Sequence, residues 1–459
     1  MALYTGLAGQ RIEDLQTGLR GTVIGPGNDD YDAARRVWNG MIDRHPALIV
    51  RCADTADVVR AVDFARANHL AVAVRGGGHN AAGLAVCDGG LVIDLSQLNE
   101  VQVDPIQLTA RAQAGATWSD LDRATQAHGL ATTGGGVSTT GIAGLTLGGG
   151  LGWLMRSHGL TCDNLISAEV VLADGRVVTA SACENPDLFW GIRGGGGNFG
   201  IVTSFEYRLH PVGPVLAGMV VHPRARAAEV LRFYREFTRT APDELTTYAV
   251  LLTTSEGIPA IALMLCYNGP IEQRMEVVRP LREFGPPIVD QVGPMPYTLL
   301  QSILDPAFPS GLQIYWRSDF LKGLADDAID TIVNRANEAP SPLTVLLIEQ
   351  LGGAVARVGR SETPFEHRDA PYNLAIISRW ADPAQAEPNV AWTRDLWNAL
   401  RPHANGVYVN YLGVGESADR VRAAYGSEKY ERLVALKNSY DPTNFFRLNQ
   451  NIKPSATQT

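Results

Sequence analysis

VAVRGGGHNAAG, residues 72–83, runs from β-formers straight into three glycines and a histidine. Val72, Ala73 and Val74 predict a strand, because branched side chains pack well on a pleated surface. Glycines 76–78 then strip the side chains from the turn that presents His79. Bare backbone lets a bulky, flat or anionic ligand come close, and its amides can cradle phosphate. The same run is also compatible with a crowded turn in which the glycines serve packing alone.

The flanks place this turn in an α/β unit. ALIVRC, 47–52, predicts a short strand, and ADVVRAVDFARANH, 56–69, carries apolar residues at helical spacing with Asp54 or Thr55 as its start signal. Downstream, 90–98, 101–104 and 109–115 predict three more strands, and 117–129 a helix that stops at Gly129. A hairpin across Ala-Asp-Gly-Arg is expected within 164–180, then a helix over 184–194 and a strand over 199–210. HPVGPV, 210–215, is the main punctuation mark. Beyond it, helices over 224–241, 271–285, 326–339 and 389–401 are interspersed with strands over 215–223, 246–254, 259–267, 312–321, 343–353, 372–380 and 406–412. The expected class is α+β: an α/β domain over 1–210, a second domain over 211–425 with a large antiparallel sheet covered by helices, and a C-terminal segment, 426–459.

Composition narrows the function. The 459 residues suffice for two domains, and 45% hydrophobic with 19% charged residues is a globular balance. A net charge of −9 argues against nucleic acid as a partner. MALYTGLAGQRIEDLQ, 1–16, has no apolar core segment and no run is long enough to span a bilayer, so a cytoplasmic protein without a membrane partner is expected. The five cysteines are odd in number and form no Cys-x-x-Cys pair, which predicts reduced, mostly buried thiols. The nine histidines form no metal-binding spacing, so no metal is expected.

Glycine is the informative residue. There are 47, clustered at 76–78, 134–136, 148–150 and 194–197, all in the first half. GGGNFG, 195–200, satisfies G-x-G-x-x-G, but a helix precedes it and a strand follows, the reverse of the Rossmann order. No G-x-x-x-x-G-K-[ST] occurs. Four bare clusters in one domain favour a ligand cradle of another kind.

VAVRGGGHN, GGGVSTTGIAGLTLGGGLGWLMRSHGLTCDNL (134–165), NPDLFWGIRGGGGNFGIVTSFEYRLHPVGP (185–214), YVNYLG (408–413) and YDPTNFFRLNQNI (440–452) together resemble the vanillyl-alcohol oxidase and para-cresol methylhydroxylase flavoprotein superfamily, in its berberine-bridge-enzyme-like branch. The resemblance spans nearly the whole chain in order. It implies a two-domain FAD-linked oxidase fold in which the C-terminal segment returns to the FAD-binding domain. It also implies that His79 carries FAD through a covalent bond to the flavin 8α-methyl carbon. Many members add a second tether from a cysteine. The matching positions here are Val137 and Ser138, so a single tether is expected.

By the same resemblance, Arg75, Gly76, Gly77, Gly78, His79 and Asn80 contact the cofactor from the first loop. Ser138, Thr140, Gly141, Gly144, Gly148, Gly149 and Gly152 do so from the second. Ile201 and Val202 face its adenine or ribityl side, and Asn449 and Asn451 approach it from the tail. Tyr411 stands where sugar-oxidising members place a catalytic tyrosine. Glu349, an acid inside an apolar strand, is a candidate to assist it or to act as the base itself, since burial raises a carboxyl pKa. Tyr315, Trp316 and Arg317 suit a flat or carbohydrate-like substrate. Each of these also has a plain structural reading as a sheet residue. The strand 372–380 lacks the acid that berberine bridge enzyme carries there.

The activity implied is hydride transfer from an alcohol or amine C–H to FAD, with molecular oxygen as acceptor and hydrogen peroxide as product. The alternatives are a dehydrogenase using another acceptor, a tailoring catalyst that cyclises or rearranges secondary metabolites, and a flavin-binding protein without turnover. The partners expected are a small-molecule substrate and oxygen, for a monomer or homodimer.

Overall fold

The computed structural model describes residues 9–455. Residues 1–8, on which the expectation of no leader partly rests, and 456–459 lie outside the described residues.

Val72–Arg75 is a strand. It pairs in parallel with Leu91–Asp94, which pairs in parallel with Leu48–Arg51, and Thr22–Ile24 adds an antiparallel edge. The helix Thr55–Ala67 supplies the crossover, and its N-cap Asp54 accepts a hydrogen bond from the Asp57 N–H. Strands covered on both faces need near-continuous apolar side chains, and Ile49, Val50, Ala73, Leu91, Val92 and Ile93 are all buried. A second sheet is antiparallel, in the order Val101–Asp104, Thr109–Gln113, Ile201–Arg208, Leu165–Val171, Val177–Ser181. Its last two strands form the expected hairpin, with Val171 opposite Val177.

The largest sheet has eight strands, all in antiparallel pairs. Its path runs Val289–Asp290, Val215–Pro223, Pro259–Tyr267, Leu245–Thr253, Val345–Gln350, Tyr372–Trp380, Gln313–Leu321, and Gly293–Met295 also pairs with Val215–Pro223. Helices Ala227–Thr238, Asp326–Ala336 and Ala386–Leu400 cover one face, packing Leu231, Ile329 and Leu396 into a core with Leu263, Ile348 and Ile376. The other face turns Tyr248, Val250, Met264 and Val345 towards Leu151, Trp153 and Tyr408. The described residues thus form an α+β fold, and no helix among them is long and apolar enough to cross a membrane.

One expectation needs correction. Residues 406–412 do not form a strand; they are a loop with a 3-10 turn at Val409–Tyr411. Its side chains bond to the glycine-rich loop: Tyr408 Oη accepts from the Gly150 N–H at 2.8 Å, and Asn410 Nδ2 donates to the Leu145 carbonyl at 3.0 Å. The C-terminal helix runs Ala418–Tyr440 and breaks at Gly426, whose φ of 70° is left-handed. The tail after it is tied back to 195–200: Lys437 Nζ donates to the carbonyls of Asn198 and Phe446, and the Ile452 N–H donates to Asn198 Oδ1. Four cysteines are buried and Cys183 is exposed, with no disulfide among them.

Candidate active site

Where the glycine loops meet the uncovered face of the large sheet, a cavity of about 360 Å³ opens. Of the residues singled out in the sequence, Gly76, Gly77, Gly78, His79, Asn80, Thr140, Gly141, Gly144, Ile201, Val202, Trp316, Glu349, Tyr411 and Asn449 all line it. Residues from 76 to 449 therefore converge on one space.

His79 is half-buried at the cavity wall. Its Nε2 lies 3.2 Å from Thr139 Oγ1 and its Nδ1 3.5 Å from Thr140 Oγ1. The ring stacks on Trp38, with centroids 5.2 Å apart and planes 14° apart. Burial pushes its pKa down to about 4, against the opposing pull of the Asp305 carboxylate. The imidazole is therefore neutral at pH 7, and its unprotonated nitrogen carries the lone pair that a nucleophile needs.

The glycines before it serve separate purposes. A β-carbon on Gly77 would overlap the Gly141 nitrogen, so this glycine lets the two loops cross backbone to backbone. Gly78 has a φ of 70°, a left-handed conformation that turns the chain towards His79. The cavity itself demands bare backbone elsewhere. Gly144 and Gly197 line it, and a β-carbon on either would meet no atom within 4 Å.

Glu349 is 3% exposed at the opposite wall. Its strand sits between two others, in register with Tyr248 on one side and Asn373 on the other. Tyr411 Oη donates to Glu349 Oε1 at 3.2 Å, and Asn373 Nδ2 donates to Oε2 at 2.7 Å. Burial raises the Glu349 carboxyl to about 7, with those two hydrogen bonds opposing the rise. Burial, reinforced by the adjacent Glu349 charge, holds the Tyr411 phenol well above its ordinary value. The pair therefore divides its roles: the carboxylate is the group able to take a proton near neutrality, and Tyr411 is a neutral hydroxyl that can relay one. Trp316 packs on Tyr411 with centroids 4.6 Å apart.

Eight expected residues do not line the cavity. The Arg75 guanidinium is committed elsewhere, to Asp94 at 2.6 Å and to the Ala34 and Arg36 carbonyls. Ser138 turns both its N–H and its hydroxyl to Asp305, at 2.8 and 2.5 Å. Gly148 and Gly152 are packing glycines, since a β-carbon would overlap the Asn410 amide in one and the Gly134 carbonyl in the other. Gly149 sits at a φ of 123° beside Phe365. Asn451 keeps a buried Oδ1 without a hydrogen-bond partner, away from the cavity. Tyr315 and Arg317 are corrected by strand geometry: neighbours in a strand point to opposite faces. Trp316 reaches the cavity, whereas Tyr315 Oη accepts from Arg394 and Arg317 pairs with Glu416 at 3.4 Å.

Several cavity residues escaped the sequence. Trp38 lies in an N-terminal loop with no motif around it, and its indole donates to the Phe308 carbonyl at 3.1 Å. Tyr248 lines the cavity beside Glu349, and Asn373, buried outside the lining, holds the carboxylate from the other side; both neighbour it only through strand register, which the sequence does not display. Gly196 and Gly197 belong to a glycine cluster that was visible, and its position after a helix ruled out only a Rossmann site.

These features fit FAD. Gly144 and Gly197 leave open space beside bare backbone, His79 offers a neutral nitrogen, and Asn449 Oδ1 is buried without a partner. Neither lysine nor arginine is among the lining residues, so the donors available to its phosphates are neutral ones: backbone amides of the glycine loops and side chains such as Asn80 and Thr140.

Comparison with known proteins agrees with the geometry. Residues 46–181 match the family model described as FAD binding domain, and residues 407–453 match the one described as berberine and berberine like. The chain is 35% identical to an FAD-linked oxidoreductase of Dictyostelium discoideum, over 97% of this chain and 98% of that protein. It is 30% identical to the (R)-6-hydroxynicotine oxidase of Paenarthrobacter nicotinovorans, over 96% and 98%. The crystal structure of 6-hydroxy-D-nicotine oxidase from Arthrobacter nicotinovorans superposes with a TM-score of 0.88 at 29% identity, covering 95% of this chain and 98% of that one. Full-length similarity at this level, on a fold whose glycine loops, His79 and C-terminal tail close around one cavity, places the chain in the berberine-bridge-enzyme-like family of two-domain, FAD-binding oxidoreductases.

Proposed function

We propose that the protein is an FAD-dependent oxidase that removes hydride from a C–H bond of a small alcohol or amine. The observation that carries this reading is the Tyr411–Glu349 hydrogen bond of 3.2 Å, in the wall of the cavity that His79 also lines. The bound flavin would accept the hydride and pass its two electrons to molecular oxygen, giving hydrogen peroxide.

The chain's own residues handle position and protons. Tyr411 Oη accepts a hydrogen bond from the substrate O–H or N–H while donating to Glu349. As the C–H bond breaks, the substrate proton moves to Tyr411 Oη and the phenolic proton moves to Glu349 Oε1. Asn373 holds the other carboxylate oxygen and keeps the group aimed. A base with a pKa of about 7 is matched to working near neutral pH.

His79 holds the flavin by a single covalent bond. Its neutral imidazole supports this, as does the wall where a second tether would form: Val137 lines the cavity and no cysteine does, among the described residues. The test is a substrate panel with parallel readouts of flavin bleaching, oxygen consumption and peroxide. Bleaching followed by stoichiometric peroxide supports an oxidase. Bleaching without oxygen consumption would make the protein a dehydrogenase, and no bleaching by any class would end the enzyme reading.

A further inference from the structure

The floor of the cavity has an ordered polarity. The face of the large sheet that looks into it can be followed row by row through the strand register. One row runs Met264, Tyr248, Glu349, Asn373. The next holds Val250 opposite Leu347, and the third holds Val345, Ile377 and Trp316. The first row carries the acid; the two behind it present aliphatic side chains, which offer no hydrogen-bonding atom, up to the indole of Trp316. Trp316 closes the far end, and its indole Nε1 is buried without a partner. Among the described residues that line the cavity, Glu349 is the only carboxylate and none is a lysine or arginine.

Building on the oxidase reading above, we propose that the substrate is a compact apolar ring compound, aryl or alicyclic, whose one oxidisable hydroxyl or amine sits over Glu349 and Tyr411 while its ring lies over Val250, Leu347, Val345 and Ile377. The physical reason is desolvation. Each hydroxyl of a sugar placed on those two rows would lose its water and find no partner, whereas a hydrocarbon ring gains by burial there. A carboxylate or phosphate on the substrate would meet no cation and would face Glu349, a like charge in a dry site.

The test mixes the holoprotein anaerobically with three matched sets: aryl and alicyclic secondary alcohols and amines, the same rings bearing a carboxylate, and cellobiose and xylobiose. Flavin bleaching should favour the first set over each of the others by a hundredfold or more in kcat/KM. Leu347→Gln should raise KM for the preferred ring compound by about tenfold or more with kcat within about threefold, because it wets the ring and leaves the proton relay alone. Val250→Thr, nearly equal in volume, repeats the test without risk to packing. Bleaching by the disaccharides at rates equal to the ring compounds, or unchanged KM in both variants, overturns the substrate class while the oxidase reading stands. Bleaching by none of the three sets, with FAD still bound, overturns both.

Discussion

Replacing Glu349 by glutamine should remove activity and, at alkaline pH, raise stability. The wild-type carboxyl holds its proton up to about pH 7 in the folded protein, against an ordinary value of 4.5. Ionisation therefore favours the unfolded chain. Stability from this group is fully present below pH 4.5, is lost as pH rises towards 7, and stays constant above that. The gap, at about 1.36 kcal/mol per pH unit, is about 3 kcal/mol. The side chain is 3% exposed, so solvent screening takes little from this figure. Glutamine escapes the penalty but must reorganise one of two hydrogen bonds, from Tyr411 or Asn373, at about 1 kcal/mol. The net gain at pH 8.5 is about 2 kcal/mol, or about 2 °C in Tm for a chain of this size. At pH 5 the advantage should vanish or change sign. Flavin reduction should fall by roughly 10²–10⁴, the usual worth of a positioned base. In the wild type it should drop about tenfold per pH unit below about 7, a dependence the variant lacks. Differential scanning at the two pH values and anaerobic stopped-flow read both arms. A Tm difference that is the same at pH 5 and 8.5, or wild-type reduction rates in the variant, would refute the assignment.

Three further outcomes are expected. Gly77→Ala should cost about 3 kcal/mol or more and release FAD on dialysis, because the new β-carbon meets the Gly141 backbone and forces the two loops apart; a variant with unaltered Tm and flavin content contradicts that crossing. Asp305→Asn removes one acceptor from the Ser138 pair and loosens the loop that holds Thr139 and Thr140 against His79, so the covalent fraction of flavin should fall under matched expression, read as in-gel fluorescence against total flavin; an unchanged fraction contradicts that support. Native protein should react with one equivalent of a thiol reagent, at Cys183, and denatured protein with five; a second fast thiol would contradict the burial of the other four.

Much of this was legible in the chain, and the failures share a cause. Local periodicity carries which residues share a face. Val345, Leu347 and Glu349 alternate along one strand and do line the cavity together. The same rule separates Trp316 from Tyr315 and Arg317, so grouping all three as substrate residues ignored information the strand already held. Register between strands is not local, which hides Tyr248, about a hundred residues away, and Asn373, 24 residues away, beside Glu349. The stretch 406–412 has strand composition, yet Tyr408 and Asn410 bond to the glycine-rich loop and the backbone turns to let them. Glycine runs mark crowding as well as ligand approach. Gly77 and Gly152 are required by other backbone, Gly144 and Gly197 face open space, and nothing in the letters distinguishes the two.

In the function proposed above, the cavity between the glycine loops and the large sheet holds a flavin bonded to His79. Intact-mass spectrometry of acid-denatured protein tests it most directly. Wild-type chain should be heavier than its sequence by one FAD, and His79→Ala should have the bare chain mass while its native form still purifies yellow. Bare mass in the wild type, or the added mass retained in His79→Ala, would contradict it.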